Sequence, residues 1–344
     1  MIELRSDTFT LPTEEMRAAM ASAPLGDDVY GEDPTVRGLE ELAAAAMGKP
    51  ASCLMPSGTM ANLAALLGHV PRGGKAIAGA ESDIYVYEGG GASVCGGVVY
   101  GPVPNLPDGS LDPDALAAEF PADPDDPQFA PPALICLENS QNRCGGRVLS
   151  PSYHKRIAAL AAERGVALHL DGARVFNAAT ALGVPASSLA AHADSVQFCL
   201  SKGLSAPIGS MLAGDVPFVD RARRLRKMLG GGMRQAGVVA AAGIVALETM
   251  TSRLSEDHAT ARRLAGGLRQ IPGIALDPPD VATNIVMFRV VDDRYTWRSF
   301  IAAAADRGVS LAELGHGRIR AVTHRGITPA DVDRALDAIA AVLA

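Results

Sequence analysis

Short β-rich runs alternate with helix-like stretches along most of this 344-residue chain. Such an alternation predicts an α/β fold in which a mostly parallel sheet is covered by helices on both faces. The expected strands are Ala51–Pro56, Lys75–Ala78, Val98–Val103, Ala133–Glu138, Ala167–Asp171, Ser195–Leu200 and Gly209–Ala213. The expected helices are Pro34–Met47, Met60–Leu67, Asp112–Phe120, Tyr153–Arg164 and Phe218–Met228. These elements predict one large domain.

The composition changes after three consecutive glycines that end at Gly232. The elements expected beyond this point are the helices Ala236–Met250, Leu254–Gln270, Trp297–Arg307 and Pro329–Leu343 and the strands Asn284–Val290 and Ile319–Val322. They predict a compact α+β unit of about 100 residues, which is an ordinary domain size. We therefore expect a large domain over residues 1–240 and a small C-terminal domain over residues 241–344.

The composition argues against several classes of protein. The net charge of -7 comes without a long basic block, so a nucleic-acid partner is not expected. The five cysteines are scattered without CxxC spacing and the seven histidines without HxH or HxxxH spacing, so neither a disulfide framework nor a metal site is expected. No long uncharged apolar stretch predicts a membrane span or a signal peptide. We expect a cytoplasmic protein.

Two apolar runs, Val166–Arg174 and Ser195–Gly203, each lead to one ionisable residue beside small residues. These residues are Asp171 and Lys202, and open α/β sheets bind ligands at such strand ends. A desolvated lysine can lose its proton and form an imine with an aldehyde. An aspartate nearby can keep a pyridine nitrogen protonated. Together they predict pyridoxal 5'-phosphate (PLP), with Lys202 as the Schiff-base lysine and Asp171 as the partner of the ring nitrogen.

A phosphate site is expected where the strand ending at Pro56 gives way to a helix. Ser57, Gly58 and Thr59 lie at this helix N-terminus, where backbone N–H groups and hydroxyls can bind a phosphate. An ordinary serine or threonine N-cap is the commoner explanation of such a pattern. Beside Asp171 and Lys202, the phosphate interpretation is favoured.

Two further segments carry cations suited to anionic groups. Arg226–Gln235 combines basic residues with three glycines, which indicates a phosphate contact, an inter-domain hinge or both together. Arg320 lies in the strand-like run Arg318–His324 and can bind a carboxylate through two parallel hydrogen bonds. A surface arginine is the alternative.

The chain resembles the low-specificity L-threonine aldolases of the β-eliminating lyase group, which are PLP enzymes of fold type I. The resemblance runs nearly end to end. The matching blocks are Leu4–Thr8, Asp28–Thr35, Ser57–Asn62, Tyr87–Gly90, Glu138–Asn139, Gly145–Val148, His169–Arg174, Cys199–Leu204, Gly230–Gly237 and Thr283–Asn284. It implies an aspartate-aminotransferase-like large domain with a mostly parallel sheet and a small C-terminal α+β domain. It also implies reversible cleavage of a β-hydroxy-α-amino acid to glycine and an aldehyde.

The resemblance further implies roles for single residues. Lys202 would bind PLP covalently, Asp171 would pair with the ring nitrogen, and Ser57, Gly58 and Thr59 would bind the phosphate. Arg174 would contact the cofactor or the substrate carboxylate, and Ser6, Arg320 and Tyr87 would complete the substrate site. Tyr30 and Arg234 would come from a neighbouring subunit of a homotetramer built from two dimers.

Two positions depart from the family pattern. The family usually has a histidine that stacks on the cofactor ring, and this chain has Asp83 at that position, within Ser82–Glu88. At the position of a second family histidine, it has Gln141, within Glu138–Asn142. The lost stacking is worth roughly 0.5–1.5 kcal/mol. Asp83 can accept a hydroxyl proton directly, whereas Gln141 can only form hydrogen bonds.

These replacements leave three functions open. The first is an aldolase-type lyase in which Asp83 or a water accepts the β-hydroxyl proton. The second is a PLP enzyme that has diverged to aldol transfer, β-elimination or racemisation. The third is a non-catalytic PLP-binding protein, which the retention of Lys202, Asp171, Arg174 and Arg320 argues against.

Overall fold

A seven-stranded sheet forms the centre of the larger part of the molecule, in a computed structural model that describes all residues 1–344. The strands of the whole chain are β1 (Ile2–Glu3), β2 (Ala51–Met55), β3 (Lys75–Gly79), β4 (Val99–Val103), β5 (Pro132–Glu138), β6 (Ala167–Asp171), β7 (Ser195–Cys199), β8 (Ser210–Gly214), β9 (Ile274–Leu276), β10 (Ile285–Val290), β11 (Val309–Ser310), β12 (Ala312–Glu313) and β13 (Ile319–Val322). The large sheet has the order β2-β8-β7-β6-β5-β3-β4. Only β8 runs antiparallel to its neighbours. The carboxyl ends of β2, β5, β6 and β7 therefore meet at one edge.

Helices cover both faces of this sheet. The helices of the whole chain are α1 (Glu14–Ser22), α2 (Pro34–Met47), α3 (Gly58–His69), α4 (Asp83–Val86), α5 (Pro113–Ala118), α6 (Pro151–Glu163), α7 (Val175–Leu182), α8 (Ala186–Ala190), α9 (Val216–Met228), α10 (Gly237–Val245), α11 (Leu254–Leu268), α12 (Trp297–Asp306) and α13 (Pro329–Leu343). Because side chains alternate along a strand, Cys53 and Met55 of β2 pack with α3 and α9, and Leu54 packs in the core that includes α2. Burial on both faces explains why the strands read as continuous apolar runs.

The C-terminal part has its own antiparallel sheet, in the order β12-β13-β10-β9, with α11, α12 and α13 packed in a second core. The N-terminus joins this part, since β1 pairs with β11 and Leu4 is fully buried in the second core. The chain then passes back to the large sheet through Ser6 and Asp7. The core around the large sheet contains residues as far along the chain as Leu254, beyond the expected domain boundary. The division at residue 240 stays a prediction.

The expected elements are present, with small differences at their ends. The expected Ala-rich helix to Met250 is α10 followed by a π-helical turn over Ala246–Met250. Elements with weak sequence signals were not anticipated, among them α1, α4, α7 and α8. No single helix has the length and apolar composition of a membrane span; only Gly237–Met250 and Leu254–Leu268, bent by 70°, reach both when taken as a pair.

Candidate active site

A cavity of about 260 Å³ opens at the carboxyl edge of the large sheet. It brings together residues from several strand ends that are far apart in the chain. The sequence-predicted residues that line it are Ser57, Gly58, Thr59, Asp83, Tyr87, Asp171 and Lys202. Its walls also contain Asn62, Glu88 and Gln197, which sequence reasoning did not single out. Asn62 and Glu88 lie in the matching blocks Ser57–Asn62 and Tyr87–Gly90, but no role was assigned to them, and Gln197 is a polar residue within the apolar run of β7.

One end of the cavity is the N-terminus of α3. The hydroxyl of Ser57 accepts a hydrogen bond of 3.2 Å from the Met60 N–H and so caps the helix. The N–H groups of Gly58 and Thr59 have no partner within the helix, as for the first residues of any α-helix. A Cβ at Gly58 would lie 2.9 Å from the Cys199 sulfur, so only glycine lets the helix start this close to β7. The N-cap and the phosphate interpretations are therefore compatible.

A buried hydroxyl lies beside this helix start. The Ser210 Oγ has no hydrogen-bond partner and would lie 3.5 Å from a Cβ built on Gly58. Buried polar atoms rarely remain unpaired in folded proteins. Ser210 is fully buried and does not line the cavity, so the donors that fit a phosphate are the free N–H groups of Gly58 and Thr59 and the Thr59 hydroxyl.

Asp171 is buried at the end of β6, in the wall of the same cavity. Its carboxylate accepts hydrogen bonds from Asn62 Nδ2 at 2.9 Å, from Gln197 Nε2 at 2.5 Å and from the Ala173 N–H at 3.0 Å. Burial raises the pKa of Asp171, and the nearby Lys202 and these donors oppose the rise. The arrangement suits an anion that pairs with a protonated ring nitrogen.

Glu88 lies close to Asp171 and shares its partner. Asn62 Nδ2 donates to Glu88 Oε1 at 2.7 Å as well as to Asp171. Burial, and then the charge of Asp171, raise the pKa of Glu88 to about 9. Glu88 is therefore protonated at neutral pH, so the two neighbouring carboxyl groups carry one negative charge between them.

Asp83 begins α4 and faces the cavity from the other side. Its backbone N–H donates to Glu138 Oε2 at 2.8 Å, which fixes the start of α4 at the end of β5. Asn142 Nδ2 donates to the two Asp83 oxygens at 3.1 and 3.2 Å. The Asn142 Oδ1 accepts a hydrogen bond of 2.6 Å from Arg320 Nη1. An arginine, an amide and a carboxylate thus form a continuous chain between the two sheets.

Arg174 forms a buried, two-bond ion pair with Asp7 instead of lining the cavity. Its Nε and Nη2 each donate to the Asp7 carboxylate at 2.8 Å. Burial alone would raise the pKa of Asp7, but the Arg174 guanidinium outweighs it and holds this pKa well below its ordinary value. The pair anchors the N-terminal segment, and a direct role of Arg174 in binding stays a prediction.

Arg320 and Ser6 lie near this ion pair, outside the cavity walls. Arg320 Nη2 donates to the Arg5 carbonyl at 3.0 Å, and its buried Nε has no partner. Burial, followed by the charge of Arg174, lowers the pKa of Arg320 to about 10. The Ser6 hydroxyl accepts a hydrogen bond of 3.2 Å from the Thr8 N–H. Arg320 therefore keeps a free donor for an anion, whereas Ser6 serves the local turn.

Gln141 is fully buried and does not line the cavity. Its Nε2 donates to the Glu81 carbonyl at 2.8 Å, and its Oε1 accepts from the Cys144 N–H at 2.6 Å. The amide is thus used to hold the loop after β5. A catalytic role for Gln141 stays a prediction without a contact to support it.

Tyr30 and Arg234 lie together at a different place on the molecule. Tyr30 is 75% exposed, and the Arg234 guanidinium is 5.9 Å from its ring centre. Tyr30 lines a separate cavity of about 490 Å³ that also contains Arg226 and Lys227 of α9. Neither Tyr30 nor Arg234 reaches the Lys202 cavity of its own chain.

Comparison with known proteins shows close sequence relatives. Residues 3–291 match the family model of the β-eliminating lyases. The chain is 46% identical over 334 residues to low-specificity L-threonine aldolase 1 of Arabidopsis thaliana, covering 96% of this chain and 93% of the relative. It is 45% identical over 293 residues to the low-specificity L-threonine aldolase of Escherichia coli K12, covering 85% of this chain and 86% of the relative.

The fold also matches solved structures. The threonine aldolase of Leishmania major superposes with a TM-score of 0.83, covers all of both chains and has 20% sequence identity. At this identity the similarity concerns the fold alone. It confirms the expected arrangement of a large α/β domain with a small C-terminal α+β domain, as in PLP enzymes of fold type I.

Proposed function

The chain belongs to the β-eliminating lyase family, and on this basis we propose that it is a PLP-dependent lyase of the threonine aldolase type. It cleaves a β-hydroxy-α-amino acid reversibly to glycine and an aldehyde. The observation that carries the proposal is that Asp171, Lys202 and the N-terminus of α3 line one cavity. The relatives that share 44–46% of its residues carry the names of threonine aldolases, which favours this activity over a diverged reaction.

The cavity fits the cofactor at both ends. Ser57, Gly58 and Thr59 would hold the phosphate, and Asp171 would hold the ring nitrogen. Lys202 would bind the aldehyde carbon covalently. When bound, PLP withdraws electrons from the Cα–Cβ bond of an attached amino acid.

The residues opposite Asp171 would bind and orient the substrate. The free Nε of Arg320 would donate to the substrate carboxylate, a charge-assisted hydrogen bond that positions the amino acid. Asn142 joins Arg320 to Asp83, so the carboxylate site and the proton acceptor are held in a fixed relation. Tyr87 would form part of the wall near the side chain.

Asp83 would accept the proton of the substrate's β-hydroxyl while the Cα–Cβ bond breaks and the Cβ–O bond becomes the aldehyde carbonyl. Lys202 Nζ would return a proton to Cα, which completes glycine. The proton released at oxygen is thus balanced by the proton taken up at carbon. This assignment accounts for aldol cleavage without the family's ring-stacking histidine.

The proposal is tested by aldehyde release from L-threonine, L-allo-threonine and phenylserine. Purified protein reconstituted with PLP should release acetaldehyde from the first two and benzaldehyde from the third. A Lys202→Ala variant is the matched control for background release. Rates equal to that control for all three substrates, with PLP bound, would reject the proposal.

We expect the protein to act as a homotetramer in the cytoplasm. Tyr30 in the second cavity is exposed, as are the apolar side chains of Leu25 and of Met228 at the end of α9, and a partner subunit would cover them. Tyr30 and Arg234 would then reach the cavity of the neighbouring subunit. Light scattering after gel filtration should give four times the mass of the chain. A monomeric mass with full activity would contradict this expectation.

A further inference from the structure

A chain of buried polar side chains leads away from Asp171 through the sheet. Asn62 Oδ1 lies 3.0 Å from His169 Nε2, and His169 Nδ1 lies 2.8 Å from the Ser195 hydroxyl. The same hydroxyl lies 2.8 Å from Nε2 of His69, at the end of α3. His169 and Ser195 are fully buried. None of these four residues has a role in the mechanism described above.

The charge of Asp171 sets the direction of every hydrogen bond in this chain. A carboxylate only accepts, so the Asn62 amide must turn its NH₂ group toward Asp171 and its oxygen toward His169. His169 must then carry its proton on Nε2 and accept from the Ser195 hydroxyl at Nδ1. That hydroxyl oxygen in turn accepts from His69 Nε2. Each donor points toward Asp171.

Both histidines have surroundings that keep them neutral, as this direction requires. Burial lowers the pKa of His169 to about 3 and that of His69 to about 4. The His69 ring stacks on Phe218 with centres 4.5 Å apart and planes 14° apart, which fixes the plane of its N–H. A neutral histidine has one donor and one acceptor, so the direction of the hydrogen bond at one ring nitrogen sets the direction at the other.

The second Asn62 hydrogen serves the other carboxyl group. It bonds to Glu88 Oε1 at 2.7 Å, so both hydrogens of the amide are used. If the amide turned over, its oxygen would face two carboxyl groups and its NH₂ would face the N–H of His169. Asp171 would lose one of its three donors. The hydrogen bonds of His169, Ser195 and His69 therefore stabilise this orientation of the Asn62 amide.

We propose that His169, Ser195 and His69 are positioning residues that lock the Asn62 amide toward Asp171, and so keep Asp171 ionised and the ring nitrogen of PLP protonated. This inference rests on the proposed function, because it needs PLP in the cavity. It gives His169 a role in electron withdrawal by PLP, although His169 does not line the cavity.

The test uses holoenzyme loaded with PLP that is labelled with ¹⁵N in the ring. The ¹⁵N chemical shift reports whether the ring nitrogen is protonated. In the Ser195→Ala and His169→Phe variants it should move toward the unprotonated value, and the dissociation constant of PLP should rise about tenfold for one lost buried hydrogen bond. His169→Gln keeps a donor near the position of Nε2 and should restore most of the wild-type shift.

A matched control is another buried histidine–asparagine pair, in which His258 Nε2 lies 3.0 Å from Asn177 Oδ1 and neither residue donates to Asp171. His258→Phe should leave the ¹⁵N shift unchanged. An unchanged shift in Ser195→Ala, or an equal change in His258→Phe, would overturn the inference. If His169→Phe does not fold, Ser195→Ala decides, because it removes only a hydroxyl. Failure of wild-type protein to bind PLP would instead reject the proposed function.

Discussion

The two sides of the Lys202 cavity are built differently. The cofactor side, formed by Gly58, Asn62 and Asp171, lies within the large sheet, and its polar groups are held by buried donors. The substrate side has Asp83 in the cavity wall and Asn142 and Arg320 behind it, and it joins the large sheet to the C-terminal part. The positions at which the chain departs from the family pattern, Asp83 and Gln141, are on or next to the substrate side. The groups of the cofactor side therefore belong to a network inside one sheet, whereas those of the substrate side connect two parts of the chain.

The covalent link should be the most sensitive point of the cofactor side. Lys202→Ala is expected to reduce aldehyde release at least about 1000-fold, because it removes both the attachment point and the amine that returns a proton to Cα. Borohydride reduction followed by mass spectrometry should label residue 202 in wild-type protein only. Lys155→Ala, at an exposed lysine of α6, is the control. Labelling of a different lysine would contradict the assignment.

Asp83→Asn should show whether the substrate side carries the proton acceptor. The amide cannot accept a full proton, so kcat for threonine cleavage is expected to fall about 100-fold or more, in the range typical of a general base. The dissociation constant of PLP should change little. Equal losses in kcat and in PLP binding would mean that Asp83 belongs to the cofactor side. Steady-state kinetics and a PLP titration provide the two measurements.

Arg320→Ala should lower the affinity for the substrate without lowering the affinity for PLP. Loss of a charge-assisted contact to the substrate carboxylate is expected to raise KM and lower kcat/KM about 100-fold, with PLP still bound. Arg318→Ala, at a neighbouring and less buried arginine, is the control. Loss of PLP together with substrate affinity would show that Arg320 supports the fold of both sides.

Asp83→His and Gln141→His should differ in their effects on activity and stability, although both restore a family histidine. Asp83→His puts an imidazole in the wall of the cavity and is expected to raise threonine cleavage about tenfold through ring stacking and a better base. Gln141→His should give no gain and should lower the free energy of unfolding by about 1–3 kcal/mol, because it removes buried hydrogen bonds to Glu81 and Cys144. Kinetics and urea unfolding measure the two effects. A gain from Gln141→His alone would place residue 141 in the site after all.

Glu88 should make the cofactor side sensitive to alkaline pH. Its pKa of about 9 in the folded protein lies above the ordinary value of a glutamate, so the folded state binds the proton more tightly than the unfolded state. The stability that this proton provides is complete below about pH 4.3 and is lost as the pH rises toward 9. Glu88→Gln should flatten this decline, which amounts to about 1.4 kcal/mol per pH unit, and stabilise the protein by up to roughly 5 kcal/mol at pH 8. Urea unfolding at pH 5, 7 and 9 measures it, with Glu163→Gln at the surface as the control, and an unchanged decline in Glu88→Gln would disprove the assignment.

The residues found from sequence and those missed differ in one physical respect. Asp171 ends β6, and Lys202 and Gly58 come three residues after the ends of β7 and β2, so these positions could be predicted from the apolar runs. Asn62, Glu88 and Asn142 act through contacts with residues far along the chain, and no local pattern marks such contacts. Arg174 illustrates the same limit, because its position after β6 was visible but its pairing with Asp7 depends on where the N-terminal segment passes.

The sequence by itself determined which strands and helices follow one another along the chain. It also determined at which edge of the sheet a ligand binds and that Asp171 and Lys202 act there. Hydrophobic periodicity and the residues at strand ends are local properties, which is why they could be recognised. Tertiary structure alone decided which polar groups became neighbours. The shared Asn62 amide and the proton that Glu88 retains depend on burial beside Asp171, and burial is a property of the packed chain.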